Sequence, residues 1–250
     1  MDSKVEFLFL NEEDMIKAGV LDADRAVDTI GEVITLLSEG DYLMGGRAHN
    51  DHGVQLIFPE KSDIPNFPLA DSADRRFMAM PAYLGGRFHM CGEKWYGSNG
   101  RNSHKGLPRS ILMATLNDVE TGQPLAYMSA NLLSAMRTGA MPGLTAMYLA
   151  RKDSRVLTIL GAGVIGRTSL MAIMAKFPDL EVLKIKGSSK TSHTAHELAD
   201  YARENYKSLK EIIICDTLEE AVRDADIIAE AVSVEPVSYT HLRAHETSLH

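Results

Sequence analysis

The chain has 250 residues, is 45% hydrophobic and carries a formal net charge of −8, which is length enough for two modest domains, each with its own core. The acidic balance, without any basic stripe, argues against nucleic acid or an anionic membrane surface as partner. No run approaches the roughly 20 apolar residues of a membrane span and the first residues lack the order of a secretion signal, so a cytoplasmic location is expected; Cys91 and Cys215, the only cysteines, lie in apolar surroundings and read as buried thiols.

In chain order, residues 5–10 read as a short strand, and Asn11 can cap a helix opened by Glu12, Glu13 and Asp14. A second helix is expected over residues 22–39, where Val27, Ile30, Val33, Ile34 and Leu37 recur at three and four and form a core-facing stripe. Gly40 and Asp41 end it. An alternating run over residues 54–58 reads as a strand. Residues 60–76 are polar, with prolines at 59, 65 and 68, and read as a long surface loop or lid. Strands follow at 77–83 and 89–95, then a loop at 97–102 and a hairpin built from 111–116 and 125–128. Residues 130–150 are helical, and Gly139, Pro142 and Gly143 predict a kink or very close backbone packing.

Residues 155–177, RVLTILGAGVIGRTSLMAIMAKF, are the most informative stretch. A β-branched apolar run meets Gly161, Gly163 and Gly166 and passes into a helical pattern with Leu170, Ile173, Met174 and Phe177 on one face. This GxGxxG sits where its mechanism needs it. Gly161 can make the tight turn, Gly163 lets backbone amides approach a pyrophosphate, Gly166 permits close helix-to-strand packing, and the helix N-terminus faces the anion. Strands at 182–185, 212–215 and 227–232 alternate with helices at 192–206 and 217–223, which implies a parallel sheet with right-handed crossovers. The expected fold is α/β: an N-terminal α+β domain over residues 1–135, then an incomplete Rossmann domain, a doubly wound parallel sheet, over 136–236.

Ahead of the glycine motif, Arg47, Lys94, Arg137 and Asn102 stand in contexts too apolar or glycine-rich for ordinary surface. A guanidinium clamps a carboxylate at two points and an ammonium adds a compact charge, so Arg47, Lys94 and Arg137 converging would hold an amino-acid carboxylate. Taken singly, each is more often a solvated charge or a structural ion pair. Arg137 and Thr138 lie on a helix whose small neighbours permit close approach, so they could reach a substrate and a cofactor phosphate together.

The ordered series Met80-Pro81-Ala82-Tyr83, Gly92-Glu93-Lys94, Asn102, the hairpin over 116–124 with its TGQP, SAMRTGA and ILGAGVIG resembles the ornithine cyclodeaminase/mu-crystallin family over residues 5–236. The resemblance implies a homodimer whose substrate and dimerisation domain precedes the Rossmann domain, with a C-terminal segment folding back on the first domain. It also implies a substrate that is an amino acid or cyclic imine. It gives Arg47, Lys94 and Arg137 the substrate carboxylate, and Thr138 with Gly161, Ala162, Gly163, Val164, Ile165 and Gly166 the dinucleotide. In the cyclodeaminase version, hydride leaves Cα and returns within one turnover while ammonia departs and a ring closes. A ketimine reductase or alanine-type dehydrogenase would transfer hydride net, and a mu-crystallin-like protein would only bind. There are two departures from the family. Met78 stands where ornithine-using members carry a glutamate, and the family's catalytic aspartate is expected beyond residue 236.

Past the second strand of the motif, Ser188, Ser189 and Lys190 offer hydroxyls and an ammonium to a ribose 2′-phosphate, and no carboxylate opposes one, so NADP is favoured over NAD. Residues 237–247 resemble a translated sequencing adapter, and residues 237–250 are expected to be a non-native tail on a gene cut short. His241 and His245 in that tail lack neighbouring ligands, so no metal site is expected.

Overall fold

The computed structural model describes residues 4–72 and 74–232. The chain divides between Ala140 and Met141 into two units, each built on its own sheet. The expected tail, with His241 and His245, lies outside the described residues.

The first unit opens with strand β1 (Leu8–Leu10) and helix α1 (Glu12–Lys17). The Asp14 amide donates to the Asn11 side chain, and the Asn11 amide donates to the Asp14 carboxylate, so two otherwise orphaned donors are satisfied reciprocally. Helix α2 (Ala23–Glu39) starts at Asp22, whose carboxylate accepts from the Arg25 amide, and stops at Gly40 with φ +79°, a left-handed position that a Cβ resists. The stripe expected to face the core on α2 is only partly used. Val27 is fully buried, whereas Ile34 and Leu37 are 42% and 39% exposed. Periodicity identifies a face fit for burial; it does not supply the partner, and the far half of this face stays partly open among the described residues.

Strands β2 (Tyr42–Met44), β3 (Val54–Ile57), β4 (Arg76–Leu84), β5 (Met90–Ser98), β6 (Ser110–Asp118) and β7 (Pro124–Ser129) join β1 in a seven-stranded sheet. Its order is β1-β7-β6-β5-β4-β2, with β3 also on β4. The β1–β7 pair is parallel and the other pairs are antiparallel. Strand β5 runs three residues past its expected end at Trp95, because Phe77 pairs with Gly97 and Arg76 with Ser98 and the ladder carries through the glycine. The expected loop therefore starts later, and Gly100–Lys105 form a 3₁₀ turn within it. The stretch before β4 is fastened at its end: Asp71 pairs with Arg75 at 2.6 Å and Arg101 at 3.0 Å, and the Ser72 hydroxyl donates to Asn99.

One face of this sheet carries Ala126 and Met128, which pack with Met15 of α1 and with Leu133. The opposite face is largely apolar and open among the described residues. Leu56, Phe77 and Ile111 share one cross-strand row, Trp95 stacks on Phe77 at 5.6 Å between centroids, and Phe9, 68% exposed, lies beside Tyr127.

Helix α3 (Asn131–Leu149) contains Pro142 and nonetheless continues through the residues expected to interrupt it. Beyond it, the second unit alternates β8 (Val156–Leu160), α4 (Val164–Lys176), β9 (Val182–Lys186), α5 (His193–Asn205), β10 (Glu211–Ile214), α6 (Leu218–Val222) and β11 (Ile227–Glu230). All pairs are parallel and the order is β10-β9-β8-β11. The chain walks outward from β8 to β10, then crosses to the other side of β8. That reversal opens a crevice at the carboxyl ends of β8 and β11, where sheets of this type bind ligands. Leu157, Ile159, Leu170, Ile173, Leu183 and Ile185 form the fully buried centre of the core, and Ala146 of α3 joins it.

Cys215 is buried, but Cys91 is only half-buried, so the expectation of two buried thiols holds for one. No described helix is long and apolar enough to cross a membrane.

Candidate functional site

Strand alternation builds a candidate anion site in the first unit. On the sheet face beneath α1 and α3, β5 presents Lys94, Tyr96 and Ser98, while β4 presents Met80, Met78 and Arg76 in register with them. Helix α3 passes over this face with Leu133 packed on it, and Arg137 lies four residues on, on the same side of the helix. The Lys94 ammonium sits 5.1 Å from the centroid of the Tyr96 ring. Burial and the neighbouring positive charge of Arg137 draw the Lys94 pKa down to about 8. Arg137 keeps much of its surface open, yet enough protein surrounds the guanidinium for desolvation to lower its pKa, with Tyr96 opposing. Neither cation forms an ion pair among the described residues. Two like charges in a partly dry place, each costly alone, make a receptor for an anion. Arg137 also lines a cavity of about 310 Å³ whose walls include Met15, Val20, Arg25 and Ile30.

The other expected members divide. Arg47 is exposed in the turn closed by the Gly45–Asp51 bridge and makes no hydrogen bond or ion pair among the described residues. Asn102 is spent on structure, its amide donating to the Pro108 carbonyl at 2.9 Å. The Thr138 hydroxyl donates back to the Ser134 carbonyl at 2.7 Å, so it can donate to an anion only by exchanging that bond. Sequence reasoning missed Tyr96 and Arg76. The alternation Lys94, Tyr96, Ser98 carries the signal, but Gly97 reads as the end of the strand in sequence whereas the ladder continues through it.

A second candidate site lies in the other unit. Gly161 has φ +93°, and a Cβ there would stand 2.5 Å from the Ala231 carbonyl oxygen. At Gly166 a Cβ would meet the Gly161 carbonyl oxygen at 2.0 Å, so the helix lies too close to the turn for any side chain. Gly163 is the opposite case: nothing stands within 4 Å of its Cβ position, and it starts α4 with no side-chain cap. The two structural glycines shape the turn and the third leaves it open, with Ala162 buried behind and Val164 exposed and Ile165 half-buried on the first helical turn. An open, uncapped helix N-terminus beside a turn without side chains fits a pyrophosphate. Ser188, Ser189 and Lys190 are exposed just past the carboxyl end of β9, where Ser189 shares a hydrogen bond with Thr191 and the Lys190 carbonyl meets the His196 ring. A ribose phosphate would find hydroxyls and an ammonium there. Among the described residues, no group of three His, Cys, Asp or Glu side chains is placed to hold a metal ion.

Comparison with known proteins gives a consistent result. Residues 22–240 match the ornithine cyclodeaminase/mu-crystallin family. The N-((2S)-2-amino-2-carboxyethyl)-L-glutamate dehydrogenase of Staphylococcus aureus is 36% identical over 178 residues, 70% of this chain and 48% of that protein. Alanine dehydrogenase of Archaeoglobus fulgidus is 30% identical over 245 residues, 96% of this chain and 67% of the relative. The solved structure of an archaeal alanine dehydrogenase dimer with bound NAD superimposes with a TM-score of 0.71 at 29% identity, covering 90% of this chain and 60% of that one. The chain thus spans about half to two thirds of the length of these relatives.

Proposed function

Because the chain belongs to the ornithine cyclodeaminase/mu-crystallin family, we propose that the protein is an NAD(P)-dependent enzyme acting at the Cα of an amino acid or its imine. The observation that carries this reading is the placement of Lys94 and Arg137 on the same side of the first sheet, two cations partly surrounded by protein with no ion pair among the described residues. They bind the α-carboxylate and fix the orientation of the carbon beside it. Arg47 is assigned to the same carboxylate by resemblance to the family. Gly161 to Gly166 hold a nicotinamide dinucleotide, which when bound supplies the hydride acceptor or donor, and Thr138 is assigned to the cofactor by resemblance to the family. The protein's own part is to bind, orient and exclude water.

Met78 favours net hydride transfer over cyclodeamination. It is buried, and the Tyr96 hydroxyl lies 3.2 Å from its sulfur, so this position offers a distal substrate ammonium no carboxylate. We accordingly read the activity as that of a dehydrogenase or imine reductase, with NADP preferred through Ser188, Ser189 and Lys190. The open apolar face around Phe77 and Trp95 suits a second copy of the chain, as in the relative solved as a dimer.

Absorbance at the reduced-nicotinamide band, recorded with NADPH and then NADH on a panel of amino acids and imines, tests the reading. A steady change in proportion to turnover, faster with NADPH and lost in Arg137→Ala, is expected. Turnover without net absorbance change would return the cyclodeaminase, and cofactor binding without turnover would leave a binding protein.

A further inference from the structure

One cation on the substrate face remains without a role. Arg76 sits two registers along from Met78's far neighbour Met80 and shares the face with Lys94 and Tyr96. Its guanidinium donates to the Tyr96 hydroxyl at 3.2 Å, and its central carbon lies 5.9 Å from the Tyr96 ring centroid. Tyr96 is therefore flanked by Arg76 and by the Lys94 ammonium, 5.1 Å from the same centroid. The charges near Arg76 do not balance. Asp74 is its only described anion, and that carboxylate already accepts from Arg109 at 2.7 Å and from the Ser98 hydroxyl at 2.7 Å. Two guanidinium groups share one carboxylate. The Arg76 Nε is buried and has no hydrogen-bond partner among the described residues, an arrangement that costs free energy unless something fills it.

We infer that Arg76 reads a second carboxylate on the substrate, so that the preferred amino or imino acid is acidic at its side chain as well as at Cα. The inference rests on the Lys94 and Arg137 carboxylate site proposed above and extends it. With the α-carboxylate at those two cations, the substrate side chain runs along the strand past Tyr96 and Met78 toward Arg76. Met78, on the same face between Met80 and Arg76, is apolar and gives no partner to an ammonium. A guanidinium is suited to the far end because it grips a planar carboxylate at two points. Asp74 keeps a partner in Arg109 when Arg76 turns to the ligand, so the shift does not strand a buried anion.

Isothermal titration of the full chain with L-glutamate and with L-norvaline, which has a similar length and lacks the second acid, tests the assignment. Glutamate is expected to bind at least about tenfold tighter, the scale of one charge-assisted contact. Arg76→Gln should bring that ratio close to one by weakening glutamate binding, and Arg76→Lys should restore part of it; thermal melts of both variants report whether the fold is kept. Equal binding of the two ligands by the unaltered chain would overturn the role of Arg76 and leave the carboxylate site standing. So would a Gln variant that weakened both ligands alike. Binding of neither ligand would overturn the carboxylate site and the inference together.

Discussion

A side-chain carbon on Gly166 would stand 2.0 Å from the carbonyl oxygen of Gly161. The obstacle is backbone, which cannot swing aside, so Gly166→Ala should cost about 3 kcal/mol in urea denaturation. Gly163→Ala should behave differently. Its backbone lies in the extended region and its Cβ position is empty, so the stability loss should stay under about 1 kcal/mol, while dinucleotide binding measured by fluorescence titration falls sharply. Equal stability losses would show that both glycines serve the turn alone.

Carboxylate binding should depend on pH through Lys94. In the free protein its pKa is drawn down to about 8 from 10.5, so the ammonium is lost as pH rises through 8, and affinity should fall by about tenfold per pH unit above that point. A carboxylate bound beside it raises the pKa again. Proton uptake on binding near pH 9 is therefore expected, visible as a buffer-dependent heat in calorimetry and absent in Lys94→Met. The same depressed value works against folding. The penalty is fully present below pH 8 and is relieved between about 8 and 10.5, where the unfolded chain holds the extra proton.

Asp226 ties the start of β8 to the start of β11. Its carboxylate accepts from the Arg155 amide at 2.7 Å and the Val156 amide at 2.9 Å and pairs with Arg151. These backbone bonds lower its pKa first, with Arg151 adding to them. Asp226→Ala should cost on the order of 2 kcal/mol, because two donors lose their acceptor. The stabilisation is present above the ordinary carboxylate pKa and is lost as pH falls through the lowered value, so the variant and the parent should converge in stability in acid.

The open face of the first sheet is the proposed contact with a second copy. Leu56 is 52% exposed there, so Leu56→Asp should leave the monomer folded and raise the dimer dissociation constant by at least about tenfold, read by sedimentation equilibrium. An unchanged dimer would move the contact elsewhere.

Local grammar was legible in advance. Asn11 with Asp14, Asp22 with Gly40, and the three glycines of the dinucleotide turn each act within a few residues, so the sequence carries the whole interaction. What the register assembles was harder to read. Arg76 and Tyr96 are twenty residues apart and meet because β4 and β5 pair antiparallel, a relation that depends on where the turn falls. Arg47 and Asn102 were marked by their glycine-rich surroundings, and composition alone cannot separate a substrate clamp from a loop staple such as Asn102 became. The stripe on α2 illustrates the same point for packing: Val27 is buried and Ile34 stays exposed among the described residues.

Helix α3 has a practical meaning for anyone who wants to dissect the molecule. Leu133 is anchored in one core and Ala146 in the other, and the division at Ala140 falls in mid-helix. A cut there would produce two fragments with frayed ends, one exposing its last carbonyls and the other its first amides. A dinucleotide-binding fragment meant to stand alone should instead begin at Ala130, keeping the helix whole and accepting the exposed apolar side of its first two turns.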